Sequence, residues 1–366
     1  MKNTIGSSVC LSLFGESHGA GIGAVLDGLA PGIPVDEAFI AHQLTLRRPA
    51  GKTGTARREQ DAFQLVSGVF EGRTTGTPIC ILIPNEDSRS RDYAATRALA
   101  RPGHADFAAF CKYHGFEDYR GGGHFSGRVT AALVAAGAIA IGALRAKGVT
   151  LGSHVLRCGG VSDRPFSPDP EKELPALNEQ VFAVLDAEAG ARMQAAIEAA
   201  GAEGDSVGGV LETAVCGLPA GVGEPWFDTL EGCLSKALFS VPAVKGVEFG
   251  DGFALAEMRG SAANDPFAMA GERVVTKSNH NGGVNGGISN GMPVTFRCAV
   301  KPTPSIFREQ DTVDFLKGED AKLLLQGRHD PAVVHRARVV VDSVTALTLC
   351  DQLALRCGTD WLKGDA

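Results

Sequence analysis

Two histidines stand in short polar turns, Gly15-Glu-Ser-His-Gly19 and Arg101-Pro-Gly-His-Ala-Asp-Phe107. Histidine changes charge near neutral pH, so His104, between an arginine and an acid, is suited to giving a proton to an anion. His18 has the same local character; the other reading of each is a structural histidine. Arg120-Gly-Gly-Gly-His-Phe-Ser-Gly-Arg128 sets three glycines between two guanidinium groups. Without a Cβ the backbone can come close to a ligand, and guanidinium forks match phosphate oxygens. The alternative is a plain turn with Ser126 as helix N-cap. Arg47, Arg48, Lys52, Arg57 and Arg58 put five cations into twelve residues of an acidic chain, enough to focus field on an anionic ligand. Lys301-Pro-Thr-Pro-Ser305 adds a cation and two hydroxyls, and Gly327-Arg-His-Asp-Pro331 a cation, an imidazole and a carboxylate. The set points to a phosphorylated ligand, without a Walker loop, a nucleophile elbow or an H-E-x-x-H zinc helix.

The elements around these residues follow from pattern. Thr4 to Phe14 alternates as a strand that delivers the first histidine, and Gly23 to Val35 reads as a strand and tight turn. Asp36 is placed to cap a helix reaching Arg47, while Gln64 to Phe70 and Pro78 to Ile83 read as antiparallel strands. The Ala-rich run from Val129 to Lys147 predicts a buried helix, its apolar part falling short of the roughly 20 residues of a membrane span. Pro165 to Glu173 reads as a surface loop and Glu188 to Ala200 as a helix. Ser278 to Pro293, polar and glycine-rich, reads as a wall against which a flat ligand lies. Gly28-Leu-Ala-Pro-Gly-Ile-Pro is echoed by Gly217-Leu-Pro-Ala-Gly-Val-Gly, and Gly76-Thr-Pro-Ile by Gly291-Met-Pro-Val. Such echoes predict a duplicated strand-turn-helix-strand-strand unit, with one domain over 1–366 and repeats roughly at 1–150 and 200–366.

Of the 366 residues 44% are hydrophobic and 21% charged, the profile of a folded chain with a large core. A net charge of −7 and no basic stripe argue against nucleic acid. The N-terminal apolar stretch is too short for a secretory core, and nine scattered cysteines, with no C-x-x-C pair, read as reduced thiols. A cytoplasmic protein with no membrane partner is the expectation.

Taken in order, Gly15-Glu-Ser-His-Gly19, Arg101-Pro-Gly-His-Ala-Asp106, Arg120-Gly-Gly-Gly123, Gly286-Gly-Ile-Ser-Asn-Gly291, Lys301-Pro-Thr303 and Gly327-Arg-His-Asp-Pro331 resemble the motifs of the chorismate synthase family over nearly the whole chain. The resemblance implies a 1,4-elimination of phosphate from 5-enolpyruvylshikimate 3-phosphate to give chorismate, with reduced FMN and no net redox change. It also implies an α+β fold, a β-α-β sandwich of two antiparallel sheets around a central helical layer, assembled as a homotetramer. By the same resemblance Arg47, Arg57, Arg101, Arg128 and Arg328 hold the substrate, and His104 assists the leaving phosphate. His18 protonates or polarises the flavin, and Asp330 with Ser17 takes a proton. FMN contacts fall on His124, Phe125, Ser126, Pro242, Ala243, Gly286, Lys301, Pro302, Thr303, Pro304, Ser305 and Arg328. No metal is implied, and an external flavin reductase is expected, since no part of the chain is left over for that task.

The chain departs from the family pattern in four places. The usual Arg-Ser-Ser-Ala-Arg-Glu-Thr is His124-Phe-Ser-Gly-Arg-Val-Thr130; Lys52 or Thr53 stands for an arginine; Pro304 stands for a serine; and Asn-Ala-Gly-Gly becomes His280-Asn-Gly-Gly283. These changes bear on single FMN contacts. Two rival readings are a metal-dependent hydrolase or lyase using His18, His104 and Asp330, and a binding protein for a flavin or a phosphometabolite that lacks catalysis.

Overall fold

The computed structural model describes residues 2–48, 61–86, 97–325 and 330–364. Lys52, Arg57, Arg58 and Arg328 lie outside the described residues.

Period-two alternation builds the first sheet. In Ile79–Pro84 the side chains of Ile79, Ile81 and Ile83 are all buried, one face of a strand turned to the core. This strand, β7, joins β1 (Thr4–Ile5), β2 (Cys10–Gly15), β3 (Gly21–Asp27) and β4 (Gln64–Ser67) in the antiparallel order β1-β2-β3-β7-β4. A two-residue ladder, β5 (Val69–Phe70) with β6 (Arg73–Thr74), lies between β4 and β7 in sequence. The segment expected as one strand from Thr4 is thus two strands. The chain turns back at Gly6, φ +95°, where a Cβ would lie 1.9 Å from the Val9 carbonyl oxygen.

The second sheet contains β8 (Thr150–Cys158), β9 (Val161–Ser162), β10 (Gly209–Cys216), β11 (Val244–Phe249) and β16 (Val294–Val300), antiparallel in the order β11-β16-β10-β8-β9. Hairpins β12–β13 (Phe267–Ala270, Arg273–Thr276), β14–β15 (Val284–Asn285, Ile288–Ser289) and β17–β18 (Gln310–Asp314, Glu319–Leu323) project from it.

Helices bridge the two sheets. α1 (Glu37–Arg47) starts where expected, Asp36 accepting the Phe39 N–H at 2.9 Å. α3 (Thr130–Ala146) rests on β2, β3 and β7, whereas α8 (Val334–Cys357) rests on β8 and β10, and the two helices touch along their length. α6 (Leu230–Leu238) packs on α8 and β11. The other α-helices among the described residues are α2 (Asp106–Tyr113), α4 (Leu174–Asn178), α5 (Ala187–Ala202) and α7 (Gly260–Ala263). One apolar cluster runs from Ile81 through Val134 and Val341 to Leu211 and Phe296, across both sheets. With α2, α7 and the two-stranded ladders set aside, each half runs strand, helix, strand, strand, helix: β3, α1, β4, β7, α3 and then β10, α6, β11, β16, α8. The neighbours match too, β2-β3-β7-β4 against β8-β10-β16-β11.

The α3–α8 contact depends on one missing side chain. A Cβ on Gly137 would lie 2.2 Å from the Ser343 Cβ, while a Cβ on Gly142, in the same helix, meets nothing within 4 Å. Alanine exceeds glycine in helix propensity by about 1 kcal/mol, and overpacking costs about 1–3 kcal/mol. Gly142→Ala is therefore expected to raise stability and Gly137→Ala to lower it, as read by urea denaturation; equal shifts would contradict this view of the crossing.

Candidate active site

The three glycines of the Arg120 loop occupy positive φ, +60°, +86° and +52° for Gly121, Gly122 and Gly123. They do not open directly into a helix as expected. Arg120–Phe125 is a kinked turn whose three glycines leave the helical backbone region, a 3-10 turn over Gly127–Val129 follows, capped by Ser126, and only then does α3 begin. Their bareness serves side chains. A Cβ on Gly121 would lie 2.2 Å from His18 Cε1 and 2.9 Å from Ser17 Oγ. One on Gly122 would lie 3.1 Å from His104 Cε1 and 3.6 Å from Arg101 Nη2. Consecutive glycines thus carry the two histidine turns. Ser17 N–H donates to Gly123 O at 3.1 Å, and Ser17 Oγ stands 3.1 Å from Arg120 O and 3.2 Å from Gly121 O. The single hydroxyl hydrogen goes to these carbonyls, so His18 Nδ1–H donates to Ser17 Oγ, at 3.1 Å.

The second turn closes on its own acid. Asp106, the first residue of α2, accepts from Arg101 N at 3.0 Å, Nε at 2.7 Å and Nη2 at 2.7 Å, and stands 2.8 Å from His104 Nδ1. Burial would raise the Asp106 carboxyl, but the bonds from Arg101 and His104 outweigh it and hold the group far below the ordinary carboxylate range. Gly103, φ +71°, brings this turn to the Lys301 loop: its Cβ would lie 3.4 Å from Pro304 Cβ and 3.6 Å from Lys301 Nζ. Lys301 N–H donates to Ala243 O at 2.9 Å, with Ala243 following Pro242 at φ +74°. Burial, and then Lys245, depress the Lys301 amine. Thr303 Oγ1 is buried without a hydrogen-bond partner among the described residues, Ser305 is buried, and Pro302 packs against Gly208.

Arg47 and Arg128 converge on a residue that the sequence reading passed over. Asp61, 4% exposed and at φ +52°, receives Arg47 Nη2 at 3.0 Å and the Arg128 Nη1 group, with Arg48 Nε at 3.6 Å. Burial pushes its carboxyl up; the fields and hydrogen bonds of Arg47 and Arg128 more than reverse this. Asn85 joins the arginines to the first histidine turn. Its amide donates to Glu16 O at 2.9 Å and Gly19 O at 3.0 Å, and its oxygen accepts from Arg128 Nε at 3.0 Å. Asp330 is buried and paired with Arg336, whose Nε donates to Arg47 O at 2.9 Å. Among the described residues no hydrogen bond joins Asp330 to Ser17.

His124, Phe125 and Gly286 occupy two further regions. His124 Nδ1 donates to Gly15 O at 2.8 Å, and the Phe125 ring meets Tyr113 edge-on at 6.0 Å. Both line a cavity of about 300 Å³ with Phe14, Tyr113, Glu16, Glu117 and Asp118, the last paired with Arg120. Gly286 sits at the open tip of the β14–β15 hairpin, whose Gly287 packs on Glu224 and Thr229. The Ser278–Pro293 segment bonds both within itself and to its neighbours: Gly283 N–H donates to Asn279 Oδ1 at 2.7 Å and Asn290 N–H to Gly283 O at 2.9 Å, while His280 N–H donates to Asp265 Oδ1 at 2.8 Å and Ser289 N–H to Val222 O at 2.8 Å.

A sequence profile of the chorismate synthase family matches residues 9–354. The chain is 46% identical to the chorismate synthase of Aeropyrum pernix, covering 97% of this chain and 93% of that one, and 45% identical to that of Dehalococcoides mccartyi strain BAV1, covering 98% of each. A crystal structure of chorismate synthase superposes with a TM-score of 0.76 at 29% identity, covering 97% of this chain and 94% of that one. The chain belongs to the chorismate synthase family. Its reaction is that family's formation of chorismate from 5-enolpyruvylshikimate 3-phosphate, in the shikimate pathway of aromatic amino-acid biosynthesis.

The family implies a flavin, and the Lys301 loop suits one: a cation, a buried hydroxyl with no protein partner and a backbone pinned by Ala243 can receive polar ring or phosphate atoms. The Asp61 hub makes a separate prediction. Removing a carboxylate from between buried guanidinium groups costs about 3–5 kcal/mol, so Asp61→Asn is expected to lose that much in urea denaturation at pH 7. Because the folded pKa lies below the ordinary value of 3.8, the wild-type advantage is full above that value and declines as pH falls through the folded pKa. A difference between the proteins that is constant down to acid pH would contradict it.

Proposed function

We propose that this chain eliminates phosphate and a ring hydrogen from 5-enolpyruvylshikimate 3-phosphate with reduced FMN and no net redox change, as a carbon–oxygen lyase acting on phosphates. The observation that carries the reading is the meeting of His18 and His104 on adjacent glycines, with Lys301 across from the His104 turn. A substrate bearing carboxylates and a phosphate needs cations to hold it and an acid at the oxygen that departs. His104 serves as that acid: no hydrogen bond engages its Nε2 among the described residues, while Arg101 lies beside it to hold the anion. Arg47 and Arg128 keep the surroundings positive even when paired with Asp61, two guanidinium groups to one carboxylate. Arg57 and Arg328 complete the substrate set in this reading.

Ser17 fixes the His18 ring through Nδ1, and His18 protonates or polarises the reduced flavin. Asp330, buried beside Arg336, takes up a proton in the second part of the reaction. Pro242, Ala243, Gly286, Lys301, Pro302, Thr303, Pro304, Ser305 and Arg328, with His124, Phe125 and Ser126, are assigned to the flavin. Reduced FMN supplies the electron-rich ring system that makes loss of an unactivated hydrogen accessible. The departing phosphate is drawn toward Arg101 and Lys301, whose depressed amine marks a partly dehydrated cation that gains from an anionic partner.

We read the molecule as a single domain whose matching halves form a sandwich of two sheets around a helical layer, a duplicated unit. A homotetramer, a cytoplasmic location and an external flavin reductase belong to the same proposal. Anaerobic mixing of the protein with 5-enolpyruvylshikimate 3-phosphate and chemically reduced FMN is expected to release phosphate and form chorismate together. Absence of both would overturn the reading. His104→Ala is expected to slow turnover about 10²- to 10⁴-fold with little change in FMN affinity; a loss under tenfold would make His104 structural.

A further inference from the structure

The carboxylate of Asp106 has two edges, and each is committed. Its Oδ2 accepts Arg101 N at 3.0 Å and Nε at 2.7 Å; its Oδ1 accepts Arg101 Nη2 at 2.7 Å and faces His104 Nδ1 at 2.8 Å. Arg101 Nη2 is also 3.0 Å from His104 Nδ1, because both groups reach for the same oxygen. An ionised carboxylate is the stronger acceptor, and Arg101 spends its hydrogen there at the shorter distance, so the proton between His104 and Asp106 sits on Nδ1. Nε2 is then the lone-pair atom of the neutral ring and the acidic N–H of the charged one. It lies beside Gly122, whose Cβ would be 3.3 Å away, in the gap between the two histidine turns.

We propose that Asp106 is the positioning residue of this site: it fixes His104 in the Nδ1–H form with Nε2 presented to the departing phosphate, and with the same carboxylate aims the Arg101 guanidinium at that anion. The inference rests on the role of His104 given above. It makes Arg101, His104 and Asp106 one unit whose orientation is set before substrate arrives, which spares the reorganisation that free side chains would undergo.

Asp106→Asn tests this sharply. Arg101 offers two donors to Oδ2, so the amide oxygen takes that edge and the amide nitrogen faces His104, a donor where an acceptor stood. Nδ1 must then accept, and the proton moves to Nε2. ¹⁵N NMR of histidine-labelled protein at alkaline pH, with His104→Ala to assign the signal, is expected to show Nδ1–H in the wild type and Nε2–H in the variant. Turnover is expected to fall about 10²- to 10⁴-fold, with KM within about threefold because Arg101 keeps two of its bonds. The double variant with His104→Ala is expected to be no slower than His104→Ala alone. An unchanged tautomer in Asp106→Asn, or losses that multiply in the double variant, would overturn the proposal. Should Asp106→Asn fail to fold, Asp106→Ala removes the acceptor and is expected to lose the fixed Nδ1–H form; a ring held in that form as in the wild type would overturn the proposal. The tautomer is measured without substrate, so a wild type that forms no chorismate would defeat the assigned reaction and leave the positioning role to be judged by NMR.

Discussion

The constraint on which the site depends is steric. Gly121 and Gly122 have side chains pressed into the space where a Cβ would stand, His18 and Ser17 on one and His104 and Arg101 on the other. Positive φ at both residues, together with Gly123, bends the loop so that its neighbours can approach from different elements. The β2 end supplies His18, and the turn before α2 supplies His104. α3, which follows the loop, anchors it in the core through a run of buried apolar residues. The site is therefore held by the centre of the fold and not by a surface excursion.

Charge is arranged around that loop by carboxylates that hold cations in place. Asp106 orients Arg101, Asp61 gathers Arg47 and Arg128, and Asp330 pairs with Arg336. For Asp61 and Asp106 burial opposes ionisation and the guanidinium partners more than restore it, as their lowered carboxyls show. Such pairs add little to stability compared with a packed apolar core. Their value is geometric: they fix planar donors around a space that an anionic substrate would enter. Asn85 makes the arrangement continuous, linking the carbonyls of the His18 turn to Arg128 through one amide.

Much of this was legible in the residues. The cap at Asp36, the buried helix after Val129 and the two histidine turns came from local rules that do not need the tertiary fold. The glycine loop was found for a reason only partly right. Its glycines admit side chains, and no rule of spacing shows which rings will lie against them. Asp61, Asn85 and Asp106 were not assigned roles because each acts through partners as many as 69 positions away or, for Asp106, through a carboxylate whose orientation is set only by the closed turn. In the polar stretch from Ser278, glycine and asparagine serve internal hydrogen bonds that residue types alone do not reveal. Likewise, the substitutions His124 and Phe125 turn toward an acidic, aromatic-lined cavity that their residue types alone do not announce.

The central claim, that bare glycines let two histidine turns meet as one site, is tested most directly by the turnover of Gly122→Ala. The added methyl would lie 3.1 Å from His104 Cε1, at a backbone angle of +86° that alanine adopts at a cost of about 1–2 kcal/mol. The protein is expected to fold, with its unfolding midpoint lowered in proportion to that cost. Chorismate formation is expected to fall about tenfold or more, because a shift of the His104 ring by a few tenths of an ångström weakens its alignment with the proton acceptor. Turnover within threefold of the wild type would contradict the account.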